Sequence, residues 1–202
     1  MKGLFFQGDG MELPFRLGHI FWHGLFAERE VSMKLAWANY APMKGITNRV
    51  LGDGCGLLGF VPFADLDGID SFIEVEDRLD RADSFMDFGP IYIIRSGYRN
   101  FHLIGTKILG ADDAVFFSYL VGGGHDLYIF KKQGEMTLRV SAKNGFTPTY
   151  VKKWVGERSH RGLHSKGHQT ALSAIYGVPQ KHLRYVGIPT GLDIKEYETL
   201  KW

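Results

Sequence analysis

At 202 residues, with 45% hydrophobic and 23% charged residues, the chain has the size and balance of one soluble globular domain. It is long enough to bury a core without cross-links, and its single cysteine, Cys55, excludes an internal disulfide framework or a multi-cysteine zinc site and suits a reducing compartment. The net charge of +2 hides an asymmetry, since residues 1–92 carry 8 Lys/Arg against 14 Asp/Glu and residues 93–202 carry 16 against 8. An acidic half can supply metal-binding carboxylates and a basic half can attract a phosphate backbone; the plainer reading is two differently solvated surfaces.

No stretch reaches the roughly 18 apolar residues that span a bilayer. The N-terminal MKGLFFQGDGMELPF has its short apolar patch broken by Gln7 and Asp9 and makes a poor signal peptide. The expectation is an unprocessed, cytoplasmic protein with no membrane partner. Along the chain, 26–40 (FAEREVSMKLAWANY) carries apolar residues at three- and four-residue spacing and predicts a helix. Trp22 and His23 before it have the look of core. The apolar run LLGFVPFAD at 57–65 predicts one buried strand ending in an acid, and Cys55 just ahead of it reads as a small buried residue. Residues 71–87 predict an amphipathic helix capped by Ser71. IYIIRS at 91–96 and NFHLIGTKIL at 100–109 predict two strands about a tight turn at Gly97. Helices are expected at 111–121 and over DLYIFKKQ after the run Gly122-Gly123-Gly124, then a strand at 136–143. A helix at about 165–176 and a last strand near 183–188 close the list. The class is α+β, with helices against a mainly antiparallel sheet.

Three groups of residues can carry chemistry. Asp65 and Asp67 end the 57–65 strand, where residues two apart project to the same face, and paired carboxylates are the oxygen-rich setting that Mg2+ and Mn2+ prefer. The competing role for such a pair is to cap the turn. Ser96, Arg99 and His102 lie around the Gly97 turn, where a hydroxyl, a fork-shaped phosphate donor and a strand histidine make an anion site; a core histidine is the alternative. His125-Asp126 follows the glycine run, and Arg139, Ser141 and Lys143 alternate onto one face of their strand, suited to a triphosphate or merely solvated.

In order and spacing these groups resemble the archaeo-eukaryotic primase superfamily, which includes small primase subunits and plasmid or viral primase-polymerases. That family has an acidic DxD pair at a strand end, a turn of the form SGxRGFH leading to a strand histidine, and a later aspartate after a hydrophobic or small residue. The chain has DLD at 65–67, SGYRNFH at 96–102 and HD at 125–126, with TLRVSAK downstream, over about residues 57–146. It departs in having Asn100 for the usual glycine and the polar His125 before the aspartate, so Asp112 or Asp113 is an alternative third acid. It has no cysteine-rich zinc stem.

The resemblance implies an RRM-like, mainly antiparallel sheet with flanking helices in a single primase-like catalytic domain over 1–202. Residues 1–56 would form an N-terminal part, 57–146 the motif-bearing core and 147–202 a basic C-terminal part. It implies a DNA primase or primase-polymerase that adds nucleotides to a 3′-hydroxyl during DNA replication. Asp65, Asp67 and Asp126 would hold two Mg2+ or Mn2+ ions. Ser96, Arg99 and His102 would meet the β- and γ-phosphates, supplemented by Arg139 and Lys143. The implied partners are a single-stranded DNA template and primer, nucleoside triphosphates, and a helicase or accessory primase subunit. Tyr150, Lys152, Lys153, Trp154, Arg158 and Arg161 would combine stacking with phosphate attraction, or form a solvated surface. The alternative is a catalytically inactive module of the same fold that binds nucleic acid or nucleotide. His160, His164 and His168, four apart, would line one helix face and bind zinc, but Gly162 and Gly167 interrupt that helix.

Overall fold

The computed structural model describes residues 5–6, 19–26, 29–38, 41–51, 56–142, 145–158 and 162–183, and for those before Gly45 the backbone alone. All strand pairs among them are antiparallel, in two sheets. The first is a meander of β1 (Phe5–Phe6), β2 (His19–Phe26), β3 (Arg29–Ala38) and β4 (Ala41–Leu51). Two short strands share the far edge of β4 end to end. β9 (Thr137–Arg139) pairs with Gly45–Thr47, and β5 (Leu57–Phe60) pairs with Arg49–Leu51.

The helix expected over 26–40 is therefore not formed. Val31, Met33, Leu35 and Trp37 alternate with Ser32, Lys34 and Ala36, and this period of two is the one that β3 obeys. Trp22 and His23 lie in β2. Cys55 lies outside the described residues.

The single strand expected at 57–65 is two strands in different sheets. Pro62 has no N–H to donate, and the chain crosses there from β5 to β6 (Phe63–Leu66). The crossing is held by Val61 N–H on the Asn48 carbonyl (2.8 Å) and by Gly105 N–H on the Pro62 carbonyl (2.7 Å). Gly59 has φ +153°, and a Cβ there would stand 2.6 Å from the Leu109 carbonyl oxygen. That carbonyl also takes the Phe60 N–H at 3.0 Å. Gly59→Ala should destabilise by about 2–4 kcal/mol in urea denaturation, through strain at that backbone and loss of the Phe60–Leu109 pair. Gly56→Ala, where a Cβ meets nothing within 4 Å, should change stability by less than about 0.5 kcal/mol. Equal effects at both sites would refute the close-approach account.

The second sheet has the order β10-β7-β8-β6, with β7 at Ile91–Arg95, β8 at Phe101–Gly105 and β10 at Thr149–Trp154. β6 leads through α1 (Phe72–Asp83) to β7, and the hairpin strand β8 inserts between β6 and β7. This is a split β-α-β unit. Ser71 caps α1 by accepting the Glu74 N–H, and Val75, Leu79 and Ala82 recur at helical spacing to give its buried stripe.

Helices α2 (Ala111–Val121), α3 (Gly124–Gln133) and α4 (Lys166–Tyr176) stand where the sequence puts helices. Of the strand expected over 136–143, Thr137–Arg139 forms β9 and residues 140–142 do not extend it, while Lys143 lies outside the described residues. The strand expected near 183–188 begins where the short α5 (Gln180–Leu183) ends, and its remainder lies outside the described residues. No helix among the described residues is long and apolar enough to cross a membrane.

Alternation gives the second sheet two buried faces. Ala64, Leu66, Ile91, Ile93 and Leu103 pack with Val75, Leu79, Phe117 and Val121 of α1 and α2. Phe63, Tyr92, Ile94 and Ile104 pack with Ile46, Val50 and Leu138 of the first sheet and with Ala171 and Leu172 of α4. Each fully buried Leu or Ile contributes on the order of 1.5–3 kcal/mol, so the sheet is held from both sides.

Candidate active site

The inner face of the second sheet, toward the first sheet, carries a row across all four strands. Tyr150 pairs with Ile94, Ile94 with His102, and His102 with Asp65. Because alternate residues share a face and the Ser96 N–H still bonds the Asn100 carbonyl across the hairpin, Ser96 extends the same face at the end of β7. Ser96 is buried and Asp67, one residue beyond β6, is exposed.

His102 is 2% exposed, and its Nε2 lies 3.5 Å from Asp65 Oδ1, which is long for a hydrogen bond. Burial and then the positive charge of Arg139 lower its pKa to about 3, so the imidazole is neutral at ordinary pH. The Asp65 carboxylate favours the charged form, but its side chain is 43% exposed and solvent weakens that pull. His102 Nδ1 and Arg139 Nε are both buried without a hydrogen-bond partner.

Asp126 is 4% exposed, in the first turn of α3. Its Oδ2 accepts the Asp65 backbone N–H at 2.8 Å and the Ser118 hydroxyl of α2 at 3.1 Å. Gly123 makes the approach feasible, since a Cβ there would fall 2.5 Å from Ser118 Oγ and 2.7 Å from Asp126 Oδ2. Asp112 and Asp113 are exposed at the opposite end of α2, about 9 Å of helix rise before Ser118. The neighbour of Asp65 is thus Asp126.

Removing that acceptor leaves a strand-end N–H unsatisfied. Asp126→Ala should destabilise by about 1–3 kcal/mol, whereas Asp126→Asn, which keeps an acceptor oxygen, should lose under about 1 kcal/mol. Denaturation of the two variants side by side tests this, and an Asp126→Ala protein as stable as the parent would refute it.

The structure thus brings together Asp65, His102, Asp126 and Arg139. It does not bring Arg99 to them. Arg99 Nε pairs with Asp70 at 2.8 Å and its Nη2 donates to the Gly68 carbonyl at 3.1 Å, fastening the loop after Asp67 to the β7–β8 turn. Ser141 falls beyond the end of β9, so it does not continue the face of Arg139 as a strand residue. Lys143 lies outside the described residues, as do His160, Arg161 and the side chain of His125.

Among the described residues His164 and His168 do not share a helix face, in keeping with the interruption at Gly162 and Gly167, and His160 lies outside them. His164 precedes α4 and pairs through Nδ1 with Thr106 Oγ1 at 3.0 Å, while His168 is buried inside α4 between Ser165 and the Thr47 carbonyl. Of the basic tract after residue 147, several described side chains make contacts within the fold. Trp154 is buried, donates to Asp80 at 2.9 Å and stacks on Phe88. Lys152 pairs with Glu76, and Arg158 donates to the Ser84 carbonyl. Tyr150 shares its hydroxyl with His182 at 2.8 Å.

Asp65 and Asp67 offer hard oxygen donors open to solvent, which suit a divalent cation. Asp126 Oδ2 already serves Asp65 N–H and Ser118, so in this arrangement it positions the strand end. Among the described residues no three His, Cys, Asp or Glu side chains form a group that could hold a metal ion. Sequence reasoning missed Ser118 and Asp70; the only signal for Asp70 was a third acid close behind Asp65 and Asp67. Compared with protein-family models, curated proteins and solved structures, the chain matches none.

Proposed function

We propose that the chain is a template-dependent nucleotidyltransferase of the primase or primase-polymerase kind. The observation that carries the reading is the convergence of Asp65, His102, Asp126 and Arg139, with His102 Nδ1 and Arg139 Nε buried and unpartnered. Each buried polar atom without a partner costs about 1–3 kcal/mol, and a phosphate oxygen would relieve that cost at the Arg139 Nε–H and at a protonated His102 Nδ1. The split β-α-β unit supports an RRM-like core, although β10 joins beside β7 rather than β6.

In this reading Arg139 binds the triphosphate of the incoming nucleotide, and His102, its Nε2–H directed at Asp65, meets a phosphate oxygen through Nδ1 after taking up a second proton that the phosphate charge favours. Ser96 on the same face and Lys143 downstream add donors. Arg99 joins them only by leaving Asp70. Asp65 and Asp67 hold Mg2+ or Mn2+, and Asp126 fixes the strand end that carries them. The cation, when bound, lowers the barrier to attack by a 3′-hydroxyl and offsets charge on departing pyrophosphate. The substrates are nucleoside triphosphates with a single-stranded DNA template and primer, and the assembly partner is a helicase or accessory primase subunit.

The test is incorporation of labelled nucleotides on single-stranded DNA, primed and unprimed, with Mg2+ or Mn2+. Metal-dependent product supports the reading. Binding of nucleotide or DNA without product under every condition supports the second reading, an inactive module of the same fold. That alternative is favoured by the prior engagement of Asp126 and Arg99 in structural contacts.

A further inference from the structure

Tyr98, at the tip of the β7–β8 turn, is 83% exposed, the most of any large hydrophobic residue among those described. The turn beneath it is held firmly. Ser96 N–H and Gly97 N–H both donate to the Asn100 carbonyl, at 2.9 and 3.3 Å. On one side Arg95 donates from Nε to the Gly97 carbonyl and from Nη2 to the Tyr98 carbonyl, at 3.3 and 3.1 Å, with its guanidinium over the Phe146 ring. On the other side Arg99 is held by Asp70 and the Gly68 carbonyl, and Ile69 N–H donates to the Arg99 carbonyl at 2.8 Å. Two arginines thus brace the backbone on either side of an exposed ring. An aromatic mounted in advance loses little conformational freedom when a ligand covers it. The loop pinned to this turn, Gly68–Asp70, directly follows Asp67, so the turn that carries the ring is tied to the loop leaving the acidic strand end.

We propose that Tyr98 is a stacking platform for a base of single-stranded nucleic acid at the rim of the candidate active site. This rests on the nucleotidyltransferase reading and names where its strand is gripped. Every base has a π-face, so an aromatic platform accepts any sequence, as a template-reading protein requires. Asp67 and Asp70 repel backbone phosphates here, and Asp70 already neutralises part of Arg99. At this point stacking, not charge, supplies the affinity.

The test uses the full chain with Mg2+ and fluorescein-labelled oligo(dT) or oligo(rU) of about 20 nucleotides, followed by anisotropy. Tyr98→Ala should weaken binding about 5- to 150-fold, as loss of one stacked base predicts. Tyr98→Phe and Tyr98→Trp should stay within about threefold of the parent, since the ring and not the hydroxyl is required. The salt dependence of Tyr98→Ala should keep the parent's slope, because that slope counts phosphate contacts. The dT and rU arms identify the strand as DNA or RNA. Tyr98→Ala binding both strands as well as the parent, or Tyr98→Phe losing as much as Tyr98→Ala, overturns the platform while leaving the nucleotidyltransferase reading in place. Tyr98-dependent binding without nucleotide incorporation overturns the catalytic reading alone. A parent chain that binds neither strand overturns both.

Discussion

Between pH 7 and pH 5 the protein should lose about 4 kcal/mol of folding stability, roughly half of it through His168 and half through His102. His168 is wholly buried. The Thr47 carbonyl is acceptor-only, so Nε2 must carry the proton at 2.8 Å, and Nδ1 therefore accepts from the Ser165 hydroxyl at 2.7 Å. Burial lowers its pKa to about 4, against a smaller upward pull from the Thr47 carbonyl. His102 is lowered to about 3, by burial and then by Arg139. Above the unfolded value of about 6.5, both histidines are neutral in both states and no penalty arises. Below it the unfolded chain takes up protons that the native state refuses, so stability falls until pH reaches the folded values. Urea denaturation at pH 7 and pH 5 measures the loss. His168→Gln, which keeps an N–H for Thr47, should halve the pH dependence. A stability flat across this range, or a variant with the parent's full slope, would show that these imidazoles are not held neutral.

The largest effect on activity is expected at the acidic strand end. Asp65→Asn with Asp67→Asn should lower nucleotide incorporation by at least about a thousandfold, since a bound cation contributes several kcal/mol to stabilising the transition state. Unfolding should hardly change. The Asp65 side chain is 43% exposed, Asp67 is exposed, and asparagine is nearly isosteric with aspartate. Asp126→Ala, by contrast, removes the acceptor of a strand-end N–H and should register in stability even in a protein with no activity. A double variant that still extends a primer refutes the assignment of these carboxylates. A double variant that is inactive and also unfolds would instead make them structural, and the denaturation curve separates the two.

Helices α1, α2 and α4 and the β7–β8 hairpin were legible in the sequence because their causes are local. Ser71 and Ser165 accept N–H groups within three residues of themselves, Gly122 and Gly177 close helices in the left-handed conformation, and apolar residues recur at one period. Where two periods competed, over 26–40, the sequence admitted both, and pairing with β2 and β4 selected the strand. Strand β10 is not legible in the sequence because Lys152 and Lys153 break its apolar alternation, and its contacts come from Asp80, Phe88 and Glu76, which are distant in sequence.

The site divides along the same line. The sequence by itself determined that Asp65 and Asp67 share a strand end and that His102 follows the Gly97 turn, since strand alternation is a property of neighbours along the chain. Only the tertiary structure decided that Asp126, and not Asp112 or Asp113, reaches Asp65, and that Arg139 stands near enough to His102 to act on it. It also decided that Arg99 is occupied by Asp70. The separation of 61 positions between Asp65 and Asp126 leaves no periodic trace of their contact. That contact exists because α2 and α3 fold back over the end of β6, which is a consequence of packing.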